Sequence, residues 1–339
     1  MKRRGFLGAV LGSIAASACG APATTAPAPP KAQLLPPLDT VGPLHKLLPL
    51  AKLRWLILAR PREIASLPAL IPPIGLVVPE ENLNRFAAST GVDLRQIPEA
   101  AVALYAEEKG AESMLYLARH NGDPATIERL FRARLIGGEH RAEDRPDLIR
   151  LSGKLGLSQS TLVLIGRDIL GVQQGGSPTR GAARIAGLYA EGKLKKSPSA
   201  LAEEPLRSLA ERFGDAPIRA FAPGPFEGEL QRGARGLLAG ATAIGAAARP
   251  SARDGIALSI AVAGDFSKSG DPASRELGRA WDELAKGSFG HLLGLDQPVE
   301  APLLTFSPTA VACAVELDPQ KLARGLRDAT SAQIAEIMR

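Results

Sequence analysis

Short apolar segments alternate with turn residues along most of the chain, and this pattern predicts antiparallel β-hairpins that are each followed by a helix. In the first copy, strand-like segments at 101–108 and 113–120 flank a turn at Lys109-Gly110. Apolar residues such as Ile127 and Phe131 then recur at the spacing of a helix. The arrangement returns three times, with strands predicted at 160–166 and 168–174, at 237–248 and 255–264, and at 301–306 and 310–317.

These copies predict an α+β fold, in which repeated β-hairpin–helix units form antiparallel sheets with helices packed on them. About 290 residues follow the N-terminal segments, which is more than a single domain usually contains. We therefore predict two similar lobes, at 50–200 and 215–339, joined by a connecting helix at 201–214. The pattern leaves open whether the lobes share one continuous sheet.

A polar residue followed by proline stands before each predicted helix. The polar side chain can accept a hydrogen bond from a free amide of the first turn, and proline suits the first helical position because its φ is already helical. We interpret these residues as helix caps and not as ligands or catalytic acids. They are Asp123, Ser177, Asp271 and Asp318, followed by Pro124, Pro178, Pro272 and Pro319.

The N-terminal segment has the features of an export signal. Three cations at 2–4 are followed by an apolar run at 5–18. This run is too short and too rich in glycine and alanine for a membrane-spanning helix, which needs about 20 strongly apolar residues. A positive start, a short apolar core and small residues before a cleavage point are typical of a secretory signal, which we predict at 1–18.

The end of this signal resembles the lipobox of bacterial lipoproteins. The matching residues are Ala16-Ser17-Ala18-Cys19, with Ala16 where leucine is usual. The resemblance implies that Cys19 receives diacylglycerol, becomes the new N-terminus and attaches the chain to a membrane. Residues 3–7 are also similar to a twin-arginine export signal, and the choice of export route stays open. A plain secretory signal with an incidental Cys19 is the alternative interpretation.

A proline- and alanine-rich stretch with almost no charge follows Cys19. Such a composition cannot bury a core and favours an extended, semi-rigid chain. We therefore predict a lipid-anchored tether at 19–49. Gly20 and Ala21 stand where inner-membrane lipoproteins carry aspartate, so the resemblance implies the outer membrane, on its periplasmic face or at the cell surface.

Charge and composition argue against a nucleic-acid partner. The chain has 41 Lys and Arg against 35 Asp and Glu, but three of the cations belong to the predicted signal, which leaves 38 against 35. The mature charge is therefore small. Only 4% of the residues are aromatic, so few rings are present to stack on bases or sugars.

No local motif supports metal or nucleophile chemistry. None of the four histidines has a second His or Cys at i+3 or i+4, and H-E-x-x-H and G-x-S-x-G are absent. Residues 187–194 match a phosphate loop except at Leu194, which cannot hold Mg²⁺. Cys313 is interpreted as a buried cysteine within a strand. We predict no catalytic residue, no metal and no cofactor. The acids near turns are interpreted as solvent-exposed: Glu107, Glu108, Glu143, Asp144 and Asp147.

The stretch 171–180 is the strongest candidate for contact with a small ligand. Its glycine pair and the free amides of a helix start could hold an anion, in contact with Ser177. Arg180 and Arg184 would add positive charge. A flexible glycine-rich turn before a capped helix is the other interpretation, and we favour it.

The chain as a whole resembles uncharacterised envelope lipoproteins of high-GC Gram-negative bacteria, most specifically over residues 1–20. With catalytic motifs absent, we predict a non-enzymatic binding or scaffolding lipoprotein whose partner is an envelope protein. The alternative is an envelope hydrolase with a site assembled between the lobes. Acids or histidines with perturbed pKa values that converge in a deep pocket would favour the hydrolase, whereas an apolar exposed groove would favour the binding protein.

Overall fold

Twelve strands in the described part of the chain pair into a single antiparallel sheet. The computed structural model describes Leu38 and residues 42–324, apart from residues 69, 72–73, 76–77, 195, 229–233, 253–254, 288–289, 292–293 and 323. The predicted signal, Cys19 and most of the tether lie outside the described residues. The strands β1 to β12 are Leu53–Ala59, Ala100–Ala106, Glu112–Arg119, Ile136–Arg145, Leu148–Leu155, Ser158–Ile165, Ile169–Gln174, Ile218–Pro223, Ala241–Pro250, Ile256–Gly264, Leu303–Ser307 and Ala310–Leu317.

Helices pack on both faces of this sheet, and short 3₁₀ segments connect several strands. Residues 319–322 are also helical. The numbered helices α1 to α6 are Pro61–Ala65, Glu80–Thr90, Pro124–Arg132, Ala182–Ala190, Leu206–Phe213 and Gly270–Lys286. The 3₁₀ segments are Leu44–Leu47, Leu94–Gln96, Glu108–Gly110 and Ala234–Gly240.

The strand order divides the sheet into two halves that meet at its centre. One half runs β1-β2-β3-β7-β6-β5-β4, and the other runs β8-β9-β10-β12-β11. The halves are joined by β1 and β8, where Leu56 opposes Phe221 and Ile57 opposes Ala220. The predicted α+β class is confirmed, with helices against a large antiparallel sheet, and that sheet is continuous.

The helices cover the two faces of the sheet unequally. On one face, α4 and α5 bury the largest apolar cluster, which includes Leu56, Leu117 and Phe221. On the other face, α3 packs over β5 and β6, and α6 packs over β10 and β12. The central strands β1 and β8 therefore lie between two helical covers on this second face.

Four strands were not predicted, namely β1, β4, β5 and β8. The segments LRWLILA and IRAFAP, which form β1 and β8, lack the strict alternation of a half-buried strand. One predicted strand is too long, because residues 237–240 belong to a 3₁₀ segment. Gly236 has a left-handed φ of 81° just before them, which interrupts an extended chain.

The structure corrects part of the assignment of acids to exposed loops. Glu143 and Asp144 lie within β4. Asp147 accepts a hydrogen bond from the Leu38 amide at 2.9 Å and pairs with Arg145. The carboxylate of Glu107 accepts a hydrogen bond from the buried Ser113 hydroxyl at 2.6 Å. The carboxylates of Asp147 and Glu107 therefore hold neighbouring chain segments in place, which the spacing of acids in the sequence does not reveal.

Two of the four predicted helix caps are confirmed. Asp123 accepts from the Thr126 amide at 2.9 Å, and Asp318 accepts from the Gln320 amide at 2.8 Å.

The predictions of the other two helix caps are wrong. Ser177 lies in a turn, because α4 begins only at Ala182 with Gly181 as its N-cap. Asp271 lies inside the first turn of α6, whose N-cap is Ser269. An acid in the first turn still complements the helix dipole, so the sequence pattern does not separate the two positions.

Candidate functional site

The stretch 171–180 forms the end of β7 and a tight turn before α4. Gly175 and Gly176 have φ values of 75° and 69°, a conformation that glycine adopts without strain. The Ser177 hydroxyl accepts a hydrogen bond from the Arg180 amide at 3.3 Å. This local bond closes the turn.

The predicted anion contacts lie near one helix start, but that start already has an internal partner. The Ala183 amide donates to Gln173 Oε1 at 2.8 Å. Arg180 is exposed and Arg184 is half-buried. Contact of an anion with Ser177, Arg180 and Arg184 stays a prediction.

A polar cluster lies at the end of β3. Arg119 pairs with Glu99 at 3.2 Å and with Asp168 at 2.5 Å. Glu99 also accepts the amide of Leu44 at 2.9 Å. The cluster therefore fastens the segment before β1 to the sheet, and its carboxylates are already engaged.

A cavity of about 470 Å³ between α5 and the sheet contains a serine next to a carboxylate. Ser208 donates its hydroxyl proton to Glu204, and Arg207 donates to the same carboxylate at 2.8 Å. These hydrogen bonds lower the pKa of Glu204. A general base works best with a pKa near the operating pH, so this carboxylate is poorly suited to activate Ser208.

Histidine, cysteine and acidic side chains are the other candidates for chemistry. Among the described residues, no three His, Cys, Asp or Glu side chains come together as a metal site. Burial lowers the pKa of His45 and of His120, so both imidazoles are neutral at pH 7. Cys313 is buried in β12, as predicted, and burial raises the pKa of its thiol to about 11.

An apolar trough crosses the centre of the sheet on the face between α3 and α6. Cross-strand pairs place Ile57 opposite Ala220, Ala220 opposite Ala246, and Ala246 opposite Ile260. Two alanines thus form a depression between two isoleucines, with a volume of about 350 Å³. The apolar trough is lined by Trp55, Ile57, Ala220, Ala222, Ile244, Ala246 and Ile260. Leu56, Phe221 and Gly245 lie between them along β1, β8 and β9, and the Leu56 and Phe221 side chains are buried on the opposite face.

The walls of the apolar trough offer almost nothing to a hydrogen-bonding ligand. The indole nitrogen of Trp55 is the single side-chain heteroatom among its residues. The backbone of β1, β8 and β9 is paired with a strand on each side. Ile57 nevertheless keeps 38% of its surface exposed, so the trough is open to solvent. The trough was not predicted from the sequence, because two of its strands, β1 and β8, were not predicted.

The two edges of the sheet differ in chemistry. β4 forms one edge, and it carries charged residues such as Glu139 and Arg141 and two irregularities in its register. β11 forms the other edge and reads LLTFS, with no charge. Leu303 and Phe306 on this strand are 64% and 56% exposed. Charges and bulges protect an edge strand from pairing with another chain, and β11 has neither.

Within the part of the chain that the structure describes, no helix combines the length and the apolar character needed to cross a bilayer.

No family model and no curated protein matches this chain. Among solved structures, crystal form IV of TP0453 has a TM-score of 0.47 and 8% sequence identity to it. That alignment covers 85% of this chain and 97% of the other.

Proposed function

We propose that the chain is a lipid-anchored protein of the cell envelope with a non-enzymatic binding or scaffolding role. The lipobox-like end of the signal and the proline-rich tether, which carries almost no charge, support attachment through Cys19, with the outer membrane as the favoured location. The mature body then extends from the lipid surface toward a protein partner in the envelope.

The unprotected edge at β11 carries this proposal. An extended segment of a partner adds to such an edge through main-chain hydrogen bonds, and pockets for alternate side chains provide specificity. Leu304 and Phe306 point toward α6, where they approach Gly278 and Gly270. Leu303 and Thr305 point to the opposite face, where Thr305 accepts a hydrogen bond from Arg212 at 3.2 Å. A partner strand with apolar residues on both faces fits this edge.

The body is further proposed to consist of repeated hairpin–helix units in two similar lobes. Support comes from the order of elements, because β2–β3 is followed by α3, β6–β7 by α4, and β9–β10 by α6. In this view, the pairing of β1 with β8 joins one lobe to the other.

The test compares one substitution at the two edges. Phe306→Lys places a charge on β11, while Ile136→Lys places the same charge on β4 at a residue that is also well exposed. A photo-crosslinking side chain at Leu303, in intact cells, should capture a specific envelope protein. We expect Phe306→Lys to reduce that capture at least about tenfold, a loss of about 1.4 kcal/mol, and Ile136→Lys to leave it unchanged.

Two results would contradict the proposal. One is an equal yield of crosslinks in both lysine variants with an unchanged melting temperature. The other is turnover of a substrate in a broad hydrolase screen that substitution of Glu204 or Ser208 abolishes, without any specific crosslink. The second result would favour the hydrolase alternative.

A further inference from the structure

We propose that the apolar trough binds the hydrocarbon chain of a fatty acid. This inference does not depend on the partner at β11, because the two surfaces lie on different strands. It rests on the chemistry of the trough walls, on the volume between them, and on one exposed cation next to Trp55.

The walls select a ligand without polar groups along its length. A buried polar group without a hydrogen-bond partner costs free energy. The apolar trough supplies no acceptor from a side chain, and its floor strands use their backbone groups within the sheet. An extended peptide would therefore leave the amides that face the trough unpaired, whereas a methylene chain has no polar groups that need a partner.

The volume of the trough matches a short hydrocarbon chain. At about 30 Å³ for each water-sized group, the 350 Å³ of the trough holds about twelve methylene-sized groups. A three-turn helix with its side chains, about 16 Å long and 10 Å wide, fills about 1,200 Å³. Most of a protein helix would therefore stand outside the trough, whereas a single hydrocarbon chain fits within it.

A second copy of the chain is also a poor occupant. The trough spans β1, β8, β9 and β10, which is about 14 Å at the usual strand spacing. An opening of that width offers on the order of 200 Å², against about 800 Å² on each partner of a stable protein interface.

An exposed cation lies next to Trp55 in β1, where Arg54 is an extra residue at an irregularity in the register between Leu53 and Trp55. Arg54 directly precedes Trp55 in β1 and is exposed. Within the described residues it has no acid partner and no side-chain hydrogen bond. A fatty acid with its chain along Ala220 and Ala246 can leave its carboxylate in solvent beside this guanidinium. The exposed cation and the apolar walls therefore both favour an anionic, single-chain lipid as the ligand.

The binding test uses laurate and the full chain carrying Cys19→Ala, so that no covalent lipid competes. The chain contains two tryptophans, Trp55 in the trough and Trp281 buried in α6. In a Trp281→Phe background, laurate brominated on its chain should quench the emission of Trp55 on binding. From octanoate to laurate, affinity should rise about fourfold for each added methylene.

Substitutions that fill the trough with larger side chains test whether laurate binds there. Ala220→Leu and Ala246→Leu should each weaken laurate at least about tenfold, because the added methylenes overpack the space that the chain needs. Ala111→Leu, the same change at an exposed turn, should leave affinity unchanged. Arg54→Gln should weaken laurate but not its methyl ester. Phe306→Lys should bind laurate normally, which separates this proposal from the one at β11.

Several outcomes overturn the proposal. Absence of quenching of Trp55 by brominated laurate, in a Trp281→Phe protein shown to be folded, excludes this site without any substitution in the trough. Unchanged laurate affinity in both leucine variants excludes it as well. If filling the trough instead abolishes a concentration-dependent dimer while laurate does not bind, the occupant is a second copy of the chain. Circular dichroism and melting temperature verify that each variant is folded.

Discussion

Replacement of Phe221 by alanine should destabilise the fold by about 3–5 kcal/mol, the usual range for a buried phenylalanine. Phe221 is buried in β8, where the two halves of the sheet meet. Its ring lies 6.0 Å from that of Phe213 on α5, at an angle of 50°. The substitution therefore opens a cavity between the sheet and the helix and also removes an aromatic contact.

The surroundings of Phe221 cannot easily close such a cavity. Gly245 lies opposite Phe221 on β9, and a Cβ built there would fall 2.6 Å from Cε2 of Phe213. The absence of a side chain at this position is thus what admits the Phe213 ring. Because sheet and helix are held by many other contacts, they cannot collapse onto the missing ring, and the full cost of a cavity is expected.

Urea unfolding measures this loss, and Phe306→Ala is the matched control. Phe306 is more than half exposed on the β11 edge, so its replacement should cost about 1 kcal/mol or less. A loss for Phe221→Ala no larger than that of the control would mean that the β1–β8 joint contributes little to stability. An unchanged slope of the free energy with urea would verify that the variant unfolds as the parent does.

The same joint shows how far the sequence could predict the fold. Hairpins such as β2–β3 and β11–β12 were predicted correctly, because a turn separates two adjacent apolar segments and the pairing is local. The pairing of Ile57 with Ala220 joins residues far apart in sequence. No turn signal marks such a contact, so the pattern could predict antiparallel hairpins but not the continuity of the sheet.

Site prediction failed for a related reason. The trough depends on small residues, Ala220 and Ala246, lying side by side between Ile57 and Ile260, and these come from four strands. Alanine carries no chemical signal in a sequence. Histidine, serine and acid motifs point instead to residues such as Ser177 and Arg180, and such motifs cannot reveal a surface that is defined by the absence of polar atoms.

The uncharged character of the β11 edge is easier to predict from the sequence than the trough is. The sequence LLTFS could have been recognised as unprotected once its position at an edge was known. That position again depends on strand order, which places β11 last although it is followed in sequence by β12. Composition therefore identifies the chemistry of a strand, and topology decides whether that chemistry is available to a partner.

The anchor is the second feature whose removal should have a large effect. Cys19→Ala should move the protein almost completely from the membrane fraction to the aqueous fraction. A lipobox cysteine carries diacylglycerol, and stable anchoring requires more than one acyl chain, each contributing about 0.8 kcal/mol for every buried methylene. Once these chains are absent, the described body has no helix that could replace them by crossing the bilayer.

The second cysteine provides the control for this experiment. Cys313 is the other cysteine of the chain, and it is buried in β12 with a thiol whose pKa burial raises to about 11. A lipid-modifying enzyme cannot reach a thiol in that position, and few such thiols are ionised at neutral pH. Cys313→Ala should therefore retain both the palmitate-analogue label and the membrane association, whereas Cys19→Ala should lose both. A label that persists in Cys19→Ala, or a Cys19→Ala protein that stays with the membrane, would show that the chain is held by something other than a lipid on Cys19.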